Sequence, residues 1–405
     1  MKSFDTDRRE FLRAGLTGLV GLGVASAASG ETPEKPKDPT AVVKTPVVTR
    51  KLGRTGLALP VVSMGVMNAD NPNLVKAALE MGIVHLDTAH VYQGGRNEEM
   101  IGQVVKGRKR DSFVVATKVV PEGMDRKTGQ VTGGTTTEAF LAKLDVSLRR
   151  LGLEYVEILY LHNIRTREAT LAEPLLQALQ KAKADGKARF VGVSTHSNEP
   201  AVIRAAVESQ VHEVVLTAYN FRQDHRAEVK KAIAEAAKAG LGVVAMKTQA
   251  GAFWDEKRQT PINMKAALKW ALQDPNVHTA IPGFTTYDQL ILDMSVMADL
   301  KLSEQEQKDL NPPKLTTGLY CQGCAQCRPQ CPAGLPLPDL MRAHMYARGY
   351  RNLEAARELV ASLDLPADPC ADCAACAVRC AKGFDIRERA RDIARVREIP
   401  ADLLL

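Results

Sequence analysis

Eight times along its middle, the chain alternates a short apolar run with an amphipathic one. The apolar runs lie near Val62–Met67, Ile83–Asp87, Phe113–Lys118, Val156–His162, Phe190–Ser194, Val214–Thr217, Gly242–Lys247 and Val277–Ile281. Helical spacing fills the gaps at Asn73–Met81, Asn97–Val105, Thr137–Leu151, Leu171–Ala184, Glu199–Glu208, Arg226–Ala239, Asn263–Gln273 and Tyr287–Met297. Strands separated by helices pair in parallel. Eight units in about 265 residues match an α/β fold of one kind, a closed (β/α)8 TIM barrel, whose usual size is ~250 residues. The alternative is an open doubly wound sheet, disfavoured because no G-x-G-x-x-G follows the first strand. Ahead of the first unit, Arg50–Leu57 predicts a hairpin turned at Gly53–Gly56.

Composition excludes several classes. Apolar residues make up 45% and charged residues 25% of the 405, as in ordinary globular chains, so wholesale disorder, collagen-like sequence and a polytopic membrane protein do not fit. The net charge of +7 is spread without a run of five like charges, and aromatics, at 5%, are not interleaved with basic residues. No nucleic-acid partner is expected. The chain divides into residues 1–30, an address; 31–46, a linker carrying Pro33, Pro36, Pro39 and Pro46; 47–312, the barrel; and 313–405, which holds all eight cysteines.

The address has a charged start, Met1 to Arg13, then the small apolar run Ala14 to Ala28, with Ala25, Ser26 and Ala27 as a cleavage candidate. Gly15, Gly18, Gly21 and Gly23 interrupt a run already short of the ~20 apolar residues a spanning helix needs. Asp7-Arg8-Arg9-Glu10-Phe11-Leu12-Arg13 resembles a twin-arginine export signal. The resemblance implies the twin-arginine export machinery as a partner, export after folding, and a periplasmic or extracytoplasmic location. The alternative is an amphipathic segment that happens to hold two arginines.

Reacting groups in such barrels sit at the carboxyl ends of the strands. Asp87 ends the second strand, Tyr92 follows in its loop, Lys118 ends the third and His162 the fourth. These types suit carbonyl reduction. A Tyr of ordinary pKa near 10 must be made more acidic to protonate an alkoxide, and a Lys ammonium beside it does that. Asp87 would hold Lys118 and keep it charged, and His162 would orient the substrate oxygen. Taken singly, His162 also reads as a satisfied barrel-end histidine and Asp87 as a helix cap or ion-pair partner.

Five motifs then carry a family resemblance. They are Leu86-Asp87-Thr88-Ala89-His90-Val91-Tyr92, Gly95-Arg96-Asn97-Glu98-Glu99-Met100-Ile101-Gly102, Ala116-Thr117-Lys118, Leu161-His162-Asn163 and Gly192-Val193-Ser194. From Lys51 to about Met297 the sequence resembles the aldo-keto reductase family. The resemblance implies a barrel in which Tyr92 is the proton donor, supported by Asp87, Lys118 and His162, with hydride exchanged with NADP(H) or NAD(H). The cofactor positions depart from the family pattern: Thr195 stands where an Asn is usual, Leu216 for a Gln, Met246 for an aromatic, Gly283 for a Lys and Gln289 for an Arg. Ser194, Lys247, Gly283, Thr285 and Gln289 are the candidate cofactor contacts.

Cys321, Cys324, Cys327 and Cys331, with Pro332 after them, have the C-x2-C-x2-C-x3-C-P spacing of a bacterial [4Fe-4S] site. Cys370, Cys373, Cys376 and Cys380 repeat it, with Ala381 in place of the proline. Disulfides suit an exported protein, but bridging cysteines rarely fall into two identical quartets. Tetrahedral zinc needs only paired C-x2-C elements and leaves the rest of the spacing unexplained. The expectation is two [4Fe-4S] clusters on a small helix-rich ferredoxin-type domain, with a helix near Asn352–Leu363. Resemblance to two-cluster ferredoxins implies crossed ligation, Cys321, Cys324, Cys327 and Cys380 against Cys370, Cys373, Cys376 and Cys331. The whole then reads as an exported oxidoreductase acting on a small carbonyl or alcohol substrate, its clusters exchanging electrons with a redox partner protein. The rival reading is an electron-transfer iron-sulfur protein whose barrel only binds or scaffolds. Hydride carries two electrons, each cluster takes one, and no flavin-binding signature is present to split the pair.

Overall fold

Eight parallel strands run in sequence order around a barrel: β3 (Met64–Gly65), β4 (His85–Asp87), β5 (Val114–Val119), β6 (Val156–Leu161), β7 (Ala188–Thr195), β8 (Val214–Ala218), β9 (Gly242–Met246) and β10 (Thr279–Ala280). Closure comes from a parallel bridge between Val62 and Ala280, with Ser63 N–H donating to Ala280 at 2.8 Å and Ala280 N–H to Val61 at 2.9 Å. The computed structural model describes residues 46–400 apart from 126–127, 256–257 and 313–319. The export-signal reading of residues 1–30 therefore lies outside the described residues, as do the linker up to residue 45 and the start of the cysteine region at 313.

Period-two alternation decides what faces inward. Ala116, Ile158, Tyr160, Val214, Leu216, Val244, Met246 and Ile281 fill the barrel interior, while Val115, Leu159, Val193, Val215 and Val243 pack outward against the helices. The predicted hairpin is formed by β1 (Thr49–Lys51) and β2 (Ala58–Pro60), which pair antiparallel, and Gly56 supplies the left-handed residue (φ 72°) of its turn. Leu52 and Leu59 of this hairpin are buried in the interior, and Arg54 N–H donates to Gly240 O at 2.7 Å ahead of β9. The hairpin thus plugs the amino ends of the strands.

The outer ring is α1 (Pro72–Glu80), α2 (Arg96–Val105), α3 (Thr137–Leu151), α4 (Arg167–Thr170), α5 (Glu173–Ala184), α6 (Glu199–Ser209), α7 (Arg226–Lys238), α8 (Met264–Leu272) and α9 (Tyr287–Ser295), with α10 (Glu304–Asp309) after them. The helix expected over Leu171–Ala184 begins instead at Glu173. Pro174 lacks an N–H and is tolerated only in a first turn, so α4 is a separate element capped by Thr166. The run expected over Tyr287–Met297 leaves α geometry at Ser295 and tightens into a 3-10 turn. No described helix is long and apolar enough to cross a membrane.

Beyond residue 320 lie α11 (Leu337–His344), α12 (Leu353–Ala361) and α13 (Ile386–Ala394). They share a core of Leu340, Met341, Ala356, Val360, Ala390 and Ile393 that also takes in cysteines of both quartets. This helical module and the barrel belong to one compact unit. Arg165, in the loop after β6, grips buried Asp339 of α11 with both guanidinium nitrogens, one at 2.9 Å, and Asn352 donates to Asn68 at 2.9 Å. Lys382 pairs with Asp224 at 2.5 Å, and Arg96 with Glu354.

Candidate active site

The loop carrying Tyr92 is fixed from beneath by the start of α2. Asn97 donates to the carbonyls of Val66 (2.8 Å) and Ala69 (3.2 Å) and accepts from Thr88 Oγ1 (2.6 Å). Glu98, fully buried, accepts from Thr117 (2.6 Å) and pairs with Arg150 (3.3 Å), which also donates to His90 O (2.9 Å). The Gly95–Gly102 motif is therefore scaffolding for the reactive loop. Gln93 and Gly94, at φ 52° and 62°, turn that loop back over the barrel mouth.

Strand register does the rest. Ala116 and Tyr160 point inward, so Lys118 and His162, each two residues further on, point inward at the mouth. Lys118 Nζ bonds Asp87 Oδ1, donates to Thr88 O at 2.6 Å and reaches the Tyr92 hydroxyl at 3.3 Å. His162 stands edge-on to the Tyr92 ring, centroids 5.9 Å apart, and its Nδ1 has no protein partner among the described residues. All four residues expected from the sequence meet at one point. Burial pulls the Lys118 pKa down, but Asp87 and Tyr92 together raise it above the ordinary lysine value, so it stays charged. Burial, followed by Lys118 and Arg342, holds His162 well below the usual imidazole range, so it is neutral. Tyr92 departs from expectation. Burial raises its pKa more than Lys118 lowers it, and the resting hydroxyl stays protonated.

The tetrad opens into a cavity of about 780 Å³ between the barrel mouth and the module. Among the candidate cofactor contacts, Lys247 and Gly283 line it. Ser194 lies buried below, its Oγ accepting from Asn163 N–H at 2.9 Å, and Thr285 and Gln289 are exposed at the start of α9, where Thr285 N–H donates to Gln289 Oε1 at 2.8 Å. Met246 joins Lys247 and Gly283 on the cavity wall. Pro282–Gln289 carries no Lys or Arg, and Thr195 Oγ1 is spent on Ser197 O at 2.8 Å.

Sequence reasoning missed the far side of this cavity. Arg342 of α11 donates to Asn163 Oδ1 at 2.8 Å, next to His162, and Tyr346 and Tyr350 stack at 5.9 Å between centroids. Cys321 and Gly323 reach the same wall. A Cβ on Gly323 (φ +75°) would come within 2.7 Å of His196 O, so only glycine lets this segment lie on the barrel. No sequence motif marks Arg342; the helical pattern of the inter-quartet gap was the only available clue.

The cysteines gather four and four. Cys331 shares an apolar-walled pocket with Cys370, Cys373 and Cys376, among Leu335, Leu337, Ile386 and Ala390. Cys321, Cys324, Cys327 and Cys380 are electrostatic neighbours of one another. Burial, before the neighbouring sulfurs, pushes the Cys327 thiol up to about 12 and raises Cys321. Among the described residues no three His, Cys, Asp or Glu side chains converge as ligands of a single ion. Four sulfurs around an apolar space, as at Cys331, Cys370, Cys373 and Cys376, are the type of donor set that a [4Fe-4S] cluster takes.

Residues 63–266, half of the chain, match the Aldo/keto reductase family. The chain belongs to that family. It is similar to L-glyceraldehyde 3-phosphate reductase of Escherichia coli, 36% identical over 163 residues, 37% of this chain and 46% of the relative. L-galactose dehydrogenase of Arabidopsis thaliana is 33% identical over 165 residues, covering 37% and 49%. The match thus spans about half the length of these curated relatives. An aldo-keto reductase from Klebsiella pneumoniae, solved in complex with NADPH, shares the fold with a TM-score of 0.53 at 23% identity, over 68% of this chain and 99% of that one. A second, from Bacillus halodurans, aligns with a TM-score of 0.52 at 22% identity, over 65% and 95%. In these family terms the tetrad stands at the mouth of an aldo/keto reductase barrel, and the cysteine module lies beyond the matched region.

Proposed function

We propose that this chain is an oxidoreductase that interconverts a small carbonyl compound and its alcohol at Tyr92. The observation that carries the proposal is the buried Lys118 bridging Asp87 and the Tyr92 hydroxyl where the strands open into the cavity. Tyr92 donates its proton to the oxygen as negative charge develops there. Lys118 stabilises the tyrosinate left behind, and Asp87 holds the ammonium in place. Neutral His162 bonds the substrate oxygen and fixes its direction. Lys247 and Gly283 on the cavity wall would help hold NADP(H) or NAD(H), which when bound would supply or accept the hydride.

The proposal includes two [4Fe-4S] clusters, one on Cys321, Cys324, Cys327 and Cys380 and one on Cys370, Cys373, Cys376 and Cys331. When bound they exchange single electrons with a redox partner protein. Arg8 and Arg9, read as a twin-arginine signal, would send the folded protein out of the cytoplasm. Changing both to Lys should leave a cluster-loaded protein inside; unchanged export removes this part of the reading.

The decisive experiment is anaerobic purification, a visible spectrum, titration with NADPH, NADH and dithionite, and assay against aldehydes and ketones. Expected are about eight irons per chain, a visible band that dithionite bleaches, and carbonyl reduction. Stoichiometric zinc without iron overturns the cluster assignment. A second reading, an electron-transfer protein with a non-reducing barrel, is favoured by the absence of any cation on Pro282–Gln289. It is supported if the clusters reduce normally but no carbonyl is turned over.

A further inference from the structure

The cations that line the cavity fall into two sets, and Glu358 of α12 adds a carboxyl to the same wall. Lys118 is paired with Asp87, Arg150 with Glu98 at 3.3 Å and Lys143 with Glu122 at 3.1 Å. Lys247 and Arg342 have no carboxylate partner among the described residues. Lys247 reaches only the Met345 thioether, at 4.0 Å, and lies 5.8 Å from the Tyr350 ring centre; Arg342 has one bond, to the neutral amide of Asn163. Arg342 lines the cavity together with Tyr92, His162, His196, Lys247 and Cys321.

With no carboxylate partner and only the sulfur of Cys321 as a nearby negative group, these two cations sit in a partly desolvated space that the negative charge of a ligand would stabilise. A guanidinium held by one amide still has donors free for a carboxylate or phosphate, which it grips in bidentate fashion. We propose that Arg342, with Lys247 as second contact, recognises an anionic group on the substrate, so that the compound reduced is a carbonyl bearing a carboxylate or phosphate. This rests on the carbonyl-reductase reading above and adds the substrate class. It gives the module a place in specificity, because Arg342 comes from α11 while every member of the tetrad comes from the barrel.

The probes are 4-carboxybenzaldehyde and its uncharged methyl ester, assayed in the full, cluster-loaded chain with whichever nicotinamide the titration identifies. Calorimetry with the corresponding alcohols runs in parallel. The acid should be preferred in kcat/KM and bind more tightly than the ester. Arg342→Gln should cut that preference roughly 10- to 100-fold, the worth of a charge-assisted hydrogen bond, mostly through KM, and Arg342→Lys should restore part of it. Equal binding of acid and ester, or a preference that survives Arg342→Gln, overturns the inference. So does a variant whose KM changes only for the nicotinamide cofactor, which would assign the cations to its phosphates, or one that alters only the reduction of the clusters. If the acid is bound preferentially and neither compound is turned over, the inference holds and the reductase reading fails.

Discussion

On the side of the cavity built by β4, β5, β6 and α3, each of the three lysine and arginine side chains meets a carboxylate. The second set, Lys247 after β9 and Arg342 of α11 with its bond to Asn163 just after β6, meets none among the described residues. Paired charges on the first side spend their electrostatic energy on geometry: Lys118 cannot leave Asp87 without abandoning a buried carboxylate. Unpaired charges on the second hold nothing in place and stay available to a ligand. All four tetrad residues come from the barrel, whereas the proposed recognition pair draws Lys247 from the barrel and Arg342 from the added module.

Breaking the paired side should have the largest effect. Tyr92→Phe keeps the ring and removes the proton donor, so carbonyl reduction should fall by on the order of 10²–10⁴ while dithionite still bleaches the clusters. Lys118→Met should be as damaging by another route, leaving Asp87 buried without its ammonium. Steady-state assays with intact near-UV dichroism check both. Full activity in both variants would make the tetrad a relic.

The joint between the two sides can be loosened next. Arg165 reaches from the barrel to the fully buried Asp339 of α11, and Arg165→Ala strands that carboxylate from its guanidinium. Removing one partner of a buried pair costs about 3–5 kcal/mol. The expected result is a lowered unfolding midpoint in urea and earlier proteolytic release of the module. If instead the variant unfolds as the parent does, Arg165 adds nothing to docking.

A subtler cut separates the two cysteine groups. With the grouping proposed above, the double change of Cys327 and Cys380 to Ser should remove one cluster and leave about four irons, whereas Cys327 with Cys331 should remove both. Ligation within each sequence quartet inverts the two outcomes, so iron analysis of the pair decides between them.

The paired side was legible in the sequence and most of the unpaired side was not. Lys118 and His162 were readable because strand ends in a parallel barrel converge whatever the loops do, and alternation from Ala116 and Tyr160 fixes their direction. Cysteine spacing was readable because cluster ligands are set by local chain geometry. Arg342 was not: its role depends on where α11 docks, a consequence of Arg165, Asp339 and Gly323 acting across more than a hundred residues. The Tyr92 pKa was misjudged for a related reason. The Lys118 charge is visible in a motif, but the burial that outweighs it is a property of the assembled fold. Ser194, Thr285 and Gln289 were carried over position by position, and the cavity simply does not extend to them.

The smallest effect expected is a pH profile that differs between the two probes. Tyr92 is raised by burial against the opposing pull of Lys118, and His162 is lowered well below the imidazole range by burial, Lys118 and Arg342. Neither group changes protonation between about pH 6 and 9, so reduction of the neutral ester should have a flat kcat/KM over that range. Lys247 is different. Burial, then Arg342, lowers its pKa to about 7 against the opposing influence of Cys321. It is charged below that value and loses its charge as pH rises through it. The acid should therefore lose kcat/KM through about pH 7 while the ester does not, by a few-fold, since Arg342 keeps its charge throughout. Lys247→Met should flatten the acid's profile as well. A break near pH 7 for both compounds would instead point to a group that acts on both, such as Glu358 on the cavity wall, whose carboxyl burial pushes up to about 7, and the division between chemistry and recognition would have to be redrawn.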